Sequence, residues 1–113
     1  METSVNKIVR YRVKKKKLRL VRQALLEFID SVRENEPNTL VYEVFQEKDN
    51  PASFIHVMSF KDKNAEKTHT NSKYLKKWVD ILYPNCKQEP EFTNLRSVKS
   101  NKITENNETK TVI

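Results

Sequence analysis

Glycine is absent from all 113 residues, cysteine and tryptophan occur once each, and histidine twice. Each scarcity closes a class of function. Without glycine there is no phosphate-cradling loop and no dinucleotide fingerprint, both of which need backbone that no Cβ obstructs. No serine or cysteine triad pattern is present either. The lone Cys86 cannot form an internal disulfide. With no histidine beside it, it reads as a thiol near a turn rather than an activated nucleophile, and a reducing, cytoplasmic setting is the expectation. His56 and His69 stand thirteen residues apart with no third ligand at helical or hairpin spacing, so no metal site is expected. No apolar run approaches a membrane span, and residues 1–6 carry no signal region, so no membrane partner is expected.

Charge is plentiful, and its excess is local. The net charge is +7, yet residues 7–33 hold ten basic side chains against only Glu27 and Asp30, and the remainder of the chain is nearly balanced. The lysine run at residues 14–17 admits two readings, a solvated connection between strand and helix or a patch for phosphates and anionic ligands.

Hydrophobic periodicity then orders the chain. Residues 7–14 alternate as a strand, with Val9, Tyr11 and Val13 on one face. Leu18, Val21, Leu25, Phe28, Ile29 and Val32 recur at spacings of three and four, which predicts a helix over residues 16–34. Glu36-Pro37-Asn38 ends it, Asn38 taking the left-handed turn that glycine would otherwise supply. A second strand follows over residues 39–47, with Leu40, Tyr42 and Val44 opposite Val41 and Phe45. After a turn through Pro51, a third strand carries Phe54, His56, Met58 and Phe60 on one face and Ile55, Val57 and Ser59 on the other. Asp62 suits a helix N-cap for residues 63–70, with Glu66 in the first turns, and Asn71-Ser72 marks a break and fresh cap before a stripe of Tyr74, Leu75, Trp78, Val79, Ile81 and Leu82. Residues 91–98 form a short polar strand, at an edge or swapped to a partner. The organisation expected is an extension at 1–6, one domain over 7–98 and a disordered tail at 99–113.

The order strand-helix-strand-strand-helix-strand, with right-handed crossovers, predicts an α+β ferredoxin-like βαββαβ plait: a four-stranded antiparallel sheet with its helices on one face. The other face keeps Val41, Phe45, Ile55 and Val57 uncovered, which a second sheet would bury. At this point the chain resembles the antibiotic biosynthesis monooxygenase (ABM) family of dimeric α+β barrels. Four pieces carry the resemblance: Glu36-Pro37-Asn38-Thr39-Leu40-Val41-Tyr42-Glu43-Val44, Asp49-Asn50-Pro51-Ala52-Ser53-Phe54, Phe60-Lys61-Asp62, and His69 with Tyr74-Leu75. It implies a homodimer through sheet faces, with a pocket in each subunit between sheet and helices, and oxygenation of quinol-like aromatics without metal or flavin. Departures are Met58-Ser59-Phe60 where the family often has Glu-x-Trp, Tyr74 where a second helical histidine is frequent, and lysines in place of a proline-glycine turn. Val9 and Phe60 replace the Asn and Trp of the haem-degrading branch, which disfavours haem.

The site expected on this basis has His69 and His56 as catalytic groups and Tyr74, Trp78, Phe60, Met58 and Tyr11 around a small aromatic substrate, with no cofactor. Histidine suits a base whose proton affinity burial or a partner can tune. Plainer roles compete: His56 as a satisfied core histidine, His69 as a helix C-terminal group, Trp78 as core packing. Two other function classes stand beside the enzyme. One is a dimer that binds a small molecule without turnover. The other is an RNA-binding domain of the same topology, disfavoured because Ser53-Phe54-Ile55-His56-Val57 lacks the basic-Gly-Phe signature and a stacking platform.

Overall fold

The computed structural model describes residues 3–99. Its elements are β1 (Val5–Arg12), a 3-10 turn (Lys15–Lys17), α1 (Leu18–Asn35), β2 (Thr39–Gln46), β3 (Ser53–Phe60), α2 (Lys63–Thr70), α3 (Lys73–Leu82), a second 3-10 turn (Tyr83–Asn85) and β4 (Glu91–Leu95). The sheet is antiparallel throughout in the order β2-β3-β1-β4, the ferredoxin-like plait the sequence predicts. Among the described residues no helix is long and apolar enough to cross a membrane.

Side-chain alternation decides what the sheet shows to the helices. In β3 Phe54, His56, Met58 and Phe60 are all buried while Ile55, Val57 and Ser59 are half-buried on the reverse. Register carries the same division across the sheet: Val9 pairs with His56 and with Phe92, Val44 with His56, and Tyr42 with Met58. The helices close this face with Val21, Leu25, Phe28 and Val32 of α1 and Trp78 and Leu82 of α3, side chains each worth roughly 1.5–3 kcal/mol on full burial. Phe28 stacks on Trp78 at 5.7 Å, which ties α1 to α3 at the centre of that layer.

Several boundaries differ from expectation. β1 begins at Val5, so Val5 and Asn6 belong to the sheet and not to an extension, and the strand ends at Arg12. Val13 keeps one bridge, to Cys86, which is buried in the core. The basic run is a 3-10 turn that leads into α1 without a side-chain cap. Leu40 does not share a face with Tyr42 and Val44: a bulge between Thr39 and Val41 shifts the register, hands the inner position opposite Phe60 to Thr39, and leaves Leu40 exposed. β4 stops at Leu95, with Val98 exposed beyond it. The tail expected from residue 99 lies, apart from Lys99, outside the described residues.

The break between α2 and α3 follows the two expected caps. Asp62 accepts the Ala65 N–H at 2.9 Å. The Ser72 hydroxyl donates to the His69 carbonyl at 2.7 Å and accepts the Leu75 N–H at 3.2 Å. Ser72 thereby terminates one helix and starts the next, fixing His69 in the last turn of α2.

Candidate active site

Between the inner sheet face and the α2–α3 pair lies a cavity of about 210 Å³, lined mainly by apolar groups. Six of the seven expected residues line it: Tyr11, His56, Met58, Phe60, His69 and Trp78. Tyr74 does not. It lines a shallow groove between α1 and α3 with Ala24 and Phe28, and its hydroxyl donates to Glu36. Tyr74 shares a face of α3 with Trp78, one turn later, and both rings lie against Phe28, but Tyr74 sits at the start of α3, where its hydroxyl reaches Glu36 at the end of α1 and not the cavity.

The two histidines occupy opposite kinds of setting. His56 is 1% exposed and bonded at both ring nitrogens, Nε2 to the Tyr11 hydroxyl at 2.7 Å and Nδ1 to the Tyr42 hydroxyl at 2.8 Å. Burial first, and the neighbouring His69 second, push its pKa down to about 3, so it is a neutral ring and a weak base at physiological pH. The same burial pushes both tyrosines above their ordinary range, with Tyr42 and Glu36 adding to the effect on Tyr11 and Tyr42 respectively.

His69 is held by a carboxylate. Its Nδ1 lies 3.0 and 3.1 Å from the two oxygens of Glu36, which is itself 6% exposed and also accepts from Thr39 Oγ1 at 2.7 Å and from Tyr74. A carboxylate only accepts, so the proton sits on Nδ1 and the Nε2 lone pair is left for the cavity that His69 lines. Burial lowers the His69 pKa, and the charge and hydrogen bond of Glu36 restore part of it. The result is a neutral, oriented imidazole, the state a general base requires. Among the described residues Nε2 has no hydrogen-bond partner.

Glu36, Tyr42 and Lys7 are the site residues that the sequence reading leaves unassigned. Glu36 reads as a helix terminator, and its burial depends on the end of α1 meeting the end of α2. Alternation puts Tyr42 on the inner face, but nothing local marks its hydroxyl as a partner of His56. Lys7 shares the inner face with Val9 and pairs with Glu66 of α2, a mutually neutralising couple on the cavity wall. Among the described residues no three His, Cys, Asp or Glu side chains are grouped to hold a metal ion.

Comparison with known proteins reaches the same fold. The family model for antibiotic biosynthesis monooxygenase matches residues 4–81. Among solved structures, a protein from Bacteriodes thetaiotaomicron provisionally named an antibiotic biosynthesis monooxygenase superposes with a TM-score of 0.82 at 18% identity, covering 91% of this chain and 97% of its own. One similarly named from Caulobacter crescentus gives 0.80 at 20% identity over 87% and 92%. A protein from Mycobacterium tuberculosis gives 0.80 at 15% over 88% and 100%. No protein of curated function matches the chain in sequence.

Proposed function

The chain belongs to the antibiotic biosynthesis monooxygenase family, and from that membership and the cavity we propose that it is a homodimeric monooxygenase acting on a small phenolic or quinol-like aromatic of the cytoplasm. The observation that carries the reading is His69, neutral and aimed by Glu36, on the wall of an apolar hollow. In this role Nε2 takes a proton from an acidic hydroxyl or ring methylene. The resulting anion is electron-rich enough to pass an electron to dioxygen, so the substrate supplies what a metal or flavin otherwise would. For a methylene flanked by aromatic rings the balance is CH2 plus O2 giving C=O plus water. Apolar walls serve this chemistry by keeping bulk water from the anion and from reduced oxygen species. Tyr11, Met58, Phe60 and Trp78 are the surfaces that hold the flat ring, while Tyr74 acts at one remove, by its bond to Glu36.

His56 moves from base to hydrogen-bonding partner in this proposal, since burial keeps it from taking up a second, charging proton. The homodimer is supported by the outer sheet face, where Ile8, Val41, Ile55 and Val57 are half-buried and Phe45 and Leu40 exposed. That face offers no aromatic on β1 or β3, which weighs against the RNA-binding alternative.

Dioxygen uptake with a panel of anthrones and quinols tests the reading. His69→Ala is expected to lower kcat/KM by about 10²–10⁴, the usual worth of a positioned base. Equal rates for the wild type and a His56→Ala/His69→Ala double variant would remove the catalytic role. Saturable binding with no oxygen consumed would identify a ligand-binding dimer instead.

A further inference from the structure

The hydrogens of the Tyr11–His56–Tyr42 chain do not divide evenly among its bonds. A neutral imidazole carries one N–H and each tyrosine one O–H, three donors in all, and the chain makes two hydrogen bonds. One hydrogen is therefore left over. Among the described residues neither tyrosine hydroxyl has a second partner, and all three side chains line the cavity.

Where the surplus hydrogen sits depends on the imidazole tautomer. With the proton on Nε2, the ring donates to Tyr11, Tyr42 gives its hydrogen to Nδ1, and the free donor is on Tyr11. With the proton on Nδ1, the ring donates to Tyr42, Tyr11 gives its hydrogen to Nε2, and the free donor is on Tyr42. The tyrosine that is not the donor keeps an open lone pair, so the wall always presents one donor and one acceptor, and the two exchange places together.

Resting on the reading of this cavity as the phenolic-substrate site, we propose that the Tyr11–His56–Tyr42 chain is a switchable oxygen-recognition site that holds both the hydroxyl and the carbonyl form of an aromatic ligand. A ligand hydroxyl at Tyr42 donates to the open lone pair of the Nε2-protonated state. Once that oxygen is a carbonyl, the Nδ1-protonated state turns a hydrogen toward it. The exchange also moves a proton without ever charging the ring: one enters at Tyr42 from the ligand hydroxyl, one passes from Tyr42 to Nδ1, one from Nε2 to Tyr11, and one leaves Tyr11 for reduced oxygen or water in the cavity that Tyr11 lines. Each tyrosine oxygen ends with one hydrogen as before, the two ring nitrogens have exchanged hydrogen and lone pair, and the imidazolium that burial forbids is never formed.

The test uses full-length protein labelled with 15N-histidine, whose spectrum holds only two imidazoles, assigned with a His69→Gln variant. Anaerobic 1,4-naphthohydroquinone and 1,4-naphthoquinone are the probes, and quenching of Trp78, the single tryptophan and a cavity-wall residue, reports their binding. The His56 tautomer ratio is expected to differ between the two complexes by about fivefold or more, the ratio a single net hydrogen bond sets. Quenching by both ligands with an unchanged His56 ratio would overturn the switch while leaving the cavity reading intact. Absence of quenching by either ligand would overturn both.

Discussion

His56 and His69 are one residue type given two characters by their partners. Tyrosines on both nitrogens and 1% exposure make His56 neutral and unreactive, whereas a carboxylate on one nitrogen leaves His69 a directed lone pair. The first setting has a thermodynamic signature. An unfolded histidine takes up its proton near pH 6.5, but folded His56 does so only near 3. Between those values the unfolded chain binds more protons, so acid favours unfolding and the contribution of His56, complete above 6.5, drains away as pH falls toward 3. Urea unfolding of the wild type should therefore lose up to about 1.4 kcal/mol per pH unit below 6.5 relative to His56→Gln. Glutamine can still donate to one tyrosine and accept from the other. Parallel pH dependences would mean that His56 ionises freely. Strand alternation and helical spacing were enough to bring both histidines to one hollow, because each rule acts within its own segment. Glu36 is not legible in this way because its burial is made where the end of α1 meets His69, 33 residues on, and the place of Tyr74 is not, because the sequence stripe does not show which part of it faces α1.

Secondary elements were legible where their signals were local. α2 spans Lys63–Thr70 behind Asp62, and α3 starts after Ser72, as the caps indicate. What local signals could not show was the bulge at Leu40, whose cause is the pairing of Thr39 with Phe60 and the bond from Thr39 to Glu36. Ser72 is the hinge pin of the helical layer, joined to the last turn of α2 and the first of α3. Ser72→Ala should cost about 1 kcal/mol and lower the melting temperature by roughly 4–8 °C, with Ser72→Asp recovering most of it. An unchanged melting curve for Ser72→Ala would show that packing of Trp78 and Leu82 alone positions α3.

At the level of the whole molecule the plait covers one sheet face with helices and leaves the other without a layer over it among the described residues. The proposed interface centres on Val57 and Ile8, which pair across β3 and β1. Sedimentation should find a dimer at micromolar concentration, and Val57→Glu, which sets an unpaired charge in the middle of that surface, should yield monomers. A wild-type monomer would remove the dimer from the proposal. The topology was readable from the order of elements, since short connections and right-handed crossovers leave few arrangements. The edge strand completes the picture. β4 is five residues long, joined to β1 on one side only, and exposed along its whole length, yet Phe92 within it and Pro90 just before it help line the cavity. Because that edge is paired on one side only, its local opening is expected to widen the way from solvent to Trp78 and His69.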